Sequence, residues 1–255
     1  MRTLILSSSF TTYDTDSEGN RFPRIIDNDN GFLDNLRKYM TSRKCMVIIS
    51  GNPKKIRIGD PTEVTRKSFA MSGIPFEEYI YVDDSNKQKI KDYVQKADCI
   101  NLFGGHLPTA NAFINQLKLK DLLKDYNGVV IGASGGGMNM ADKVYCIPEE
   151  EGEHIDKSFK RVLSGLALTD INIIPHYQIF EKMTFTDGTK MLEDILLPDS
   201  DMMPMIALPD RSYIIQQNNK TNIYGEAYLI KDKKITLICK NNQIKNIPKL
   251  EIINL

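Results

Sequence analysis

Short apolar runs recur at 3–7, 45–50, 78–82, 98–103 and 128–132, each bounded by polar or glycine-containing segments. Runs of this length, apolar on both sides of the pleat, predict strands buried on both faces. Between them the apolar residues take a helical spacing. One such stretch runs from Asn30 to Tyr39, and another starts at Pro61-Thr62-Glu63 after Asp60. A third follows Asp83–Lys87 and ends near Ala97, and a fourth opens at Pro108-Thr109 and passes through Leu117 to Leu123. Strand–helix alternation with short connections predicts a parallel sheet covered by helices on both faces. After Ala141 the pattern changes. Ile171–Ile174 reads as a further strand and Thr189–Leu196 as a helix. The last stretch reads as antiparallel, with strands at Met205–Leu208, Tyr213–Gln216, Ile223–Ile230 and Lys234–Cys239 and a hairpin turn at Lys231–Lys233. The expected fold is therefore a three-layer α/β sandwich with a mostly parallel central sheet and antiparallel strands near the C-terminus. No repeat or long linker divides it, so residues 1–255 read as a single domain.

Composition narrows the partners. The 255 residues carry 33 Lys plus Arg against 33 Asp plus Glu, which gives no basic surface for nucleic acid. No apolar run approaches the roughly 20 residues that span a bilayer, and Met1–Ser7 is too short for a secretory core segment. Cys45, Cys99, Cys146 and Cys239 are scattered without a Cys-x-x-Cys pair, so neither a disulfide framework nor a zinc site is indicated. A cytoplasmic protein without metal or membrane partner is the expectation.

Candidate chemistry concentrates in Gly132-Ala133-Ser134-Gly135-Gly136-Gly137, which follows Gly128-Val129-Val130-Ile131. An apolar strand feeding a Gly-x-Ser-x-Gly turn and then a helix is the pattern of a nucleophile elbow. Ser134 would project from the strand end, with the Gly135 amide aimed at an oxyanion. A dinucleotide-binding turn is the rival reading, although such a turn opens the first βαβ unit and is followed by an acid after the next strand. Here the acids at that distance, Glu149 to Glu151, lie in a charged stretch.

A serine nucleophile needs a base, and three histidines are available. His154 sits among acids and reads as an exposed surface residue. His106 follows Phe103-Gly104-Gly105 at a strand end and suits the lining of a pocket. His176 follows Ile173-Ile174-Pro175 at another strand end and is the preferred base. Asp210, delivered by Met205–Pro209, is the preferred orienting acid, with Glu149 and Glu150 as alternatives in their charged run. Gly104 or Gly105 would supply the second oxyanion amide. The polar segment Thr11–Phe22 reads as a loop overhanging the site.

Taken in order, Gly104-Gly105, Gly132–Gly136, Ile174-Pro175-His176-Tyr177 and Ala207-Leu208-Pro209-Asp210 resemble the motifs of peptidase E-like serine peptidases, over about residues 45 to 230. That group includes the cyanophycinases, and its fold is similar to class I glutamine amidotransferases and, more broadly, flavodoxin-like. The resemblance implies Ser134 as nucleophile, His176 as base and Asp210 where peptidase E has a glutamate; Glu149 matches another acid implicated in the group. The usual Ser-Ala-Gly is Ser134-Gly135-Gly136 here, and Gly-Gly-Gly-Asn is Phe103-Gly104-Gly105-His106. Between Gln178 and Leu192 stand Lys182 and Lys190 but no arginine, which speaks against aspartyl-dipeptide specificity. The expected activity is cleavage of a small peptide or amide through an acyl-enzyme, with no cofactor or metal, by a monomer or homodimer. A non-catalytic, ligand-binding member of the same fold is the alternative.

Overall fold

The computed structural model describes residues 1–54, 61–218 and 220–248. Strand β1 (Thr3–Ser7) is followed by a small hairpin of β2 (Tyr13–Thr15) and β3 (Arg21–Pro23). The Thr11–Phe22 segment, expected to be a loop, thus contains paired strands. Next come α1 (Phe32–Tyr39), β4 (Cys45–Ile49), α2 (Pro61–Met71), β5 (Glu78–Val82), α3 (Ile90–Lys96) and β6 (Cys99–Leu102). Asp60, read as the residue before α2, lies outside the described residues. The single helix expected over 108–123 is two, α4 (Leu107–Gln116) and α5 (Leu119–Leu123). The break falls at Lys118, whose φ of 51° is left-handed and cannot continue a helix.

β7 (Val129–Ala133) leads directly into the short helix α6 (Gly135–Met138). A hairpin-like pair, β8 (Lys143–Tyr145) and β9 (Val162–Ser164), then precedes β10 (Ile173–Ile174) and α7 (Tyr177–Phe180). Met191–Leu196 forms a wide π-helical turn continued by α8 (Leu197–Asp199), where the sequence predicts a helix. The chain closes with β11 (Met205–Ala207), β12 (Tyr213–Gln217), β13 (Lys220–Tyr224), β14 (Ala227–Lys231), β15 (Lys234–Cys239) and β16 (Ile244–Pro248). The run Ile223–Ile230 is therefore not one strand. Gly225, at φ 84°, turns the chain between β13 and β14 and sends them into different sheets.

The main sheet has the order β16-β13-β12-β1-β7-β6-β4-β5. β5, β4, β6, β7 and β1 are mutually parallel, and β12, β13 and β16 extend it antiparallel. Side chains of a strand alternate between faces, so one apolar run serves two cores. Leu4, Leu6, Val47, Ile49, Ile100 and Leu102 belong to one buried cluster. Ile5, Met46, Ile48, Cys99, Val129 and Ile131 belong to the other, packed with Phe32, Leu36 and Phe69 of α1 and α2. The fold is an α/β sandwich with antiparallel C-terminal strands, as the alternation predicts. A separate sheet, β10-β11-β14-β15, sits on the first of these cores. All four cysteines are free and buried, and no described helix is long and apolar enough to cross a membrane.

Candidate functional site

The parallel register of β1 and β7 pairs Ser7 with Ala133, so Ser8 and Ser134 emerge side by side at the C-terminal edge of the sheet. The Ser134 N–H donates to the Ser7 and Ser8 carbonyls at 3.0 and 3.1 Å. Those bonds hold Ser134 at φ 53°, ψ −129°, a conformation that costs an L-residue about 1–3 kcal/mol. The turn closes tightly behind it. A Cβ on Gly136 would lie 2.0 Å from the Leu102 carbonyl oxygen, and one on Gly135 would lie 2.8 Å from that of Gly105. The alanine usual after the serine in peptidase E-like chains has no room here. Within α6 the Ser134 carbonyl accepts the Gly137 and Met138 N–H groups. Helix geometry leaves the Gly135 N–H without an intrahelical acceptor. Gly104 packs against Ser134, since a Cβ there would meet the Ser134 Cβ at 3.0 Å.

His176 and Asp210 arrive from the smaller sheet rather than from the main one. Parallel pairing of β10 and β11 sets Ile174 beside Ala207, and the two chains leave that end together. His176 Nδ1 lies 2.7 Å from Asp210 Oδ1. Asp210 Oδ2 accepts Gln178 Nε2 at 2.6 Å, and the Asp210 N–H donates to Gln178 Oε1 at 3.0 Å. Burial works against the Asp210 charge, but the hydrogen bond and charge of His176, with bonds from Ser9 and Gln178, hold its carboxyl down at about 2. Ser8, fully buried, joins these groups. Its hydroxyl accepts the His176 N–H at 2.8 Å and donates to Asp210 Oδ1 at 3.1 Å. Neither Ser8 nor Gln178 is recognisable from sequence, because their roles are set by pairing between distant strands.

Ser134 and His176 line one cleft of about 780 Å³, together with Gly104, Gly105 and His106. Among the described residues no hydrogen bond joins Ser134 Oγ to His176. The β2–β3 hairpin forms another wall, contributing Tyr13, Asn20 and Arg21, with the Arg21 guanidinium 4.2 Å from the centre of the Tyr13 ring. Lys182 and Lys190 are exposed and are not among the lining residues. Among the described residues the cation lining the cleft is Arg21, which the composition of Thr11–Phe22 alone does not single out.

His106 lies at the cleft as expected, but both ring nitrogens are engaged. Nδ1 is 3.0 Å from Thr109 Oγ1, and Nε2 is 2.9 Å from Glu153 Oε1. That removes it as a rival base. Ligand atoms of His106, Glu150 and Glu153 lie within 4.8 Å of one another, the arrangement closest to a cation site, although the hydrogen bond already accounts for the His106–Glu153 contact. The charged run is less solvated than its composition predicts. His154 is not a surface histidine: its side chain is 3% exposed, stacks on Phe185 at 3.8 Å and bonds Asp187 at 3.0 Å. The turn around Phe185 folds back over it, a tertiary contact that local composition cannot reveal.

Glu149 is not a lining residue and does not bond the imidazole, but it is half-buried near His106 and His176. Burial pushes its carboxyl up, Glu153 and Glu150 push the same way, and the two histidines oppose them. An acid raised in the folded state destabilises it once ionised, so this cost is absent at low pH and grows as pH rises through the folded value. Glu149→Gln should therefore melt above the wild type at pH 7, by about 2–4 °C. The difference should vanish below the ordinary carboxyl value of 4.5. Scanning calorimetry across that range measures it, and an unchanged or lowered melting temperature at pH 7 refutes it.

Comparison with known proteins gives the same outline. The family model of peptidase family S51 matches residues 60–224. The crystal structure of a candidate peptidase E protein from Listeria monocytogenes EGD-e superposes with a TM-score of 0.52 at 15% identity, covering 93% of this chain and 98% of that one. At that identity the likeness is one of fold. No curated protein sequence matches the chain.

Proposed function

Because this chain belongs to peptidase family S51, a family of serine-type peptidases, we propose that it cleaves a small peptide or amide by a Ser134–His176–Asp210 mechanism through an acyl-enzyme. The observation that carries this reading is the 2.7 Å contact between His176 and Asp210 at the cleft where Ser134 is held in its strained turn. With Nδ1–H donated to the carboxylate, Nε2 is left as the acceptor, which is the tautomer a base requires. Nε2 takes the Ser134 proton as Oγ attacks the carbonyl carbon. The same nitrogen returns that proton to the leaving amine as the C–N bond breaks. Water then enters by the same base and releases the acid, regenerating Ser134. The Gly135 amide and that of Gly104 or Gly105 hold the oxyanion in both halves of the reaction. The two sheets supply one site, and the reading treats residues 1–255 as one unit.

The test is labelling with a fluorophosphonate probe followed by peptide mapping. Modification is expected at Ser134; modification elsewhere, or none, removes the assignment. A second reading, a ligand-binding member without turnover, is favoured by one observation, the missing Ser134–His176 hydrogen bond. Such bonds are often long until substrate is bound, so probe reactivity decides between the two.

Ser8 enters this mechanism as a positioning residue. Ser8→Ala would leave the His176 N–H without its acceptor and deprive Asp210 of a donor. Each such loss costs about 1–3 kcal/mol, so kcat should fall roughly 10–100-fold while KM changes little. A fall expressed in KM with kcat unchanged would assign Ser8 to substrate binding instead.

A further inference from the structure

The cleft is lined in part by residues that the proposed chemistry does not use. Asn101, on β6 between Ile48 of β4 and Ile131 of β7, is one of them. Its side chain is 0% exposed, and neither Nδ2 nor Oδ1 has a hydrogen-bond partner. A buried carboxamide with both ends unpaired is a costly thing to keep in a core strand, where a leucine or valine would pack without penalty. Val64, Phe103 and Asn52 line the same cleft. No carboxylate is among the described lining residues, and the cation Arg21 sits on the exposed hairpin.

We propose that the part of the cleft at Asn101 is a subsite for an uncharged carboxamide, the side chain of an asparaginyl or glutaminyl residue in the substrate, paired with Asn101 through both amide ends. The chemistry follows from what Asn101 lacks. It needs an acceptor for Nδ2 and a donor for Oδ1 in one plane, and a primary amide offers both. A carboxylate would satisfy Nδ2 while setting its charge against the Oδ1 lone pairs. An ammonium group would satisfy Oδ1 alone. An aliphatic side chain would satisfy neither. The position selects the residue whose carbonyl is attacked, because Asn101 and the Gly104-Gly105 oxyanion donors belong to the same strand and turn. Because the carboxamide is fully buried, a ligand group reaches it only by displacing the side chains around it. The subsite rests on the reading of Ser134 as the nucleophile, but its pairing chemistry can be measured without turnover.

Two measurements test it. The first compares kcat/KM for asparaginyl, glutaminyl, aspartyl and leucyl aminomethylcoumarin amides, with wild type and with Asn101→Leu. A site built to hydrogen-bond a substrate group discriminates strongly against analogues without it. The asparaginyl or glutaminyl amide should exceed the aspartyl and leucyl ones at least about 10-fold. That ratio should fall to near one in Asn101→Leu. The second titrates N-acetylasparaginamide, N-acetylaspartamide with a free side-chain carboxylate, and N-acetylleucinamide into Ser134→Ala protein, with and without Asn101→Leu, followed by NMR shift changes. Tighter binding of the asparagine compound, lost with Asn101→Leu, supports the subsite. Equal or better use of the aspartyl or leucyl compounds, a preference that survives Asn101→Leu, or no binding of any of the three overturns it. Loss of probe labelling at Ser134 with amide binding retained would instead overturn the peptidase mechanism and leave the subsite standing.

Discussion

Ser134→Ala is expected to reduce kcat by about 10⁴–10⁶-fold and to abolish fluorophosphonate labelling, with the fold retained. In the proposed mechanism Ser134 and His176 act as a unit, so removing a second member should cost almost nothing more. The double variant Ser134→Ala/His176→Ala should turn over no more slowly than Ser134→Ala alone. Multiplying losses in the double variant would show that His176 works independently of Ser134. The same position also tests the strained backbone. With φ 53° and ψ −129° at residue 134, alanine inherits the strain and glycine does not. Ser134→Gly should therefore be more stable than Ser134→Ala by about 1–3 kcal/mol in denaturant unfolding. Equal stability of the two would mean that the turn is not strained.

Asp210→Asn carries the next largest effect, a loss in kcat on the order of 10⁴-fold. The substitution keeps the size and the Gln178 bond to the remaining oxygen, but can present an N–H to His176 Nδ1 in place of the oxygen that Ser8 and His176 share. The imidazole then carries its proton on Nε2, the nitrogen that accepts from Ser134 in the proposed mechanism. The carboxylate also ties stability to pH. Its folded value lies at about 2, below the ordinary 3.8. A depressed acid contributes stability that is fully present above the ordinary value and is lost as pH falls toward the folded one. The wild type should lose stability between about pH 4 and pH 2, and Asp210→Asn should lose less over the same window. Chemical denaturation at fixed pH values measures the difference. Parallel curves for the two proteins would show that Asp210 is not held down by its partners.

Four of the five parallel strands, β1, β4, β6 and β7, are buried almost throughout, which made their apolar runs readable, whereas the edge strand β5 is only partly covered. The same logic failed where a turn lay inside an apolar stretch. Ile223–Ile230 reads as continuous, yet Gly225 divides it between two sheets. It also failed where burial comes from another part of the chain. His154 looks like a solvated histidine among acids until Phe185 is seen stacked on it. Glu149 looks exposed in its charged run until its half-buried place near His106 and His176 is seen.

Ser134, His176 and Asp210 each carry a local mark, a glycine-flanked turn or a strand end, and those marks depend on residues adjacent in the chain. The α/β alternation is local in the same sense. What holds the three groups near one another is not local. Ser8 meets His176 and Asp210 across separations of 168 and 202 residues, and Gln178 reaches Asp210 across 32. The hairpin that brings Arg21 to the cleft and the unpartnered amide of Asn101 beneath it are likewise results of packing. Sequence alone determined where most of the buried strands lie, the glycine-flanked turn and the candidate residues, because backbone conformation and hydrophobic period are short-range properties. Only the tertiary structure decided which side chains meet, which ones lose their water and which are left unpaired, because strand register and sheet assignment are long-range ones.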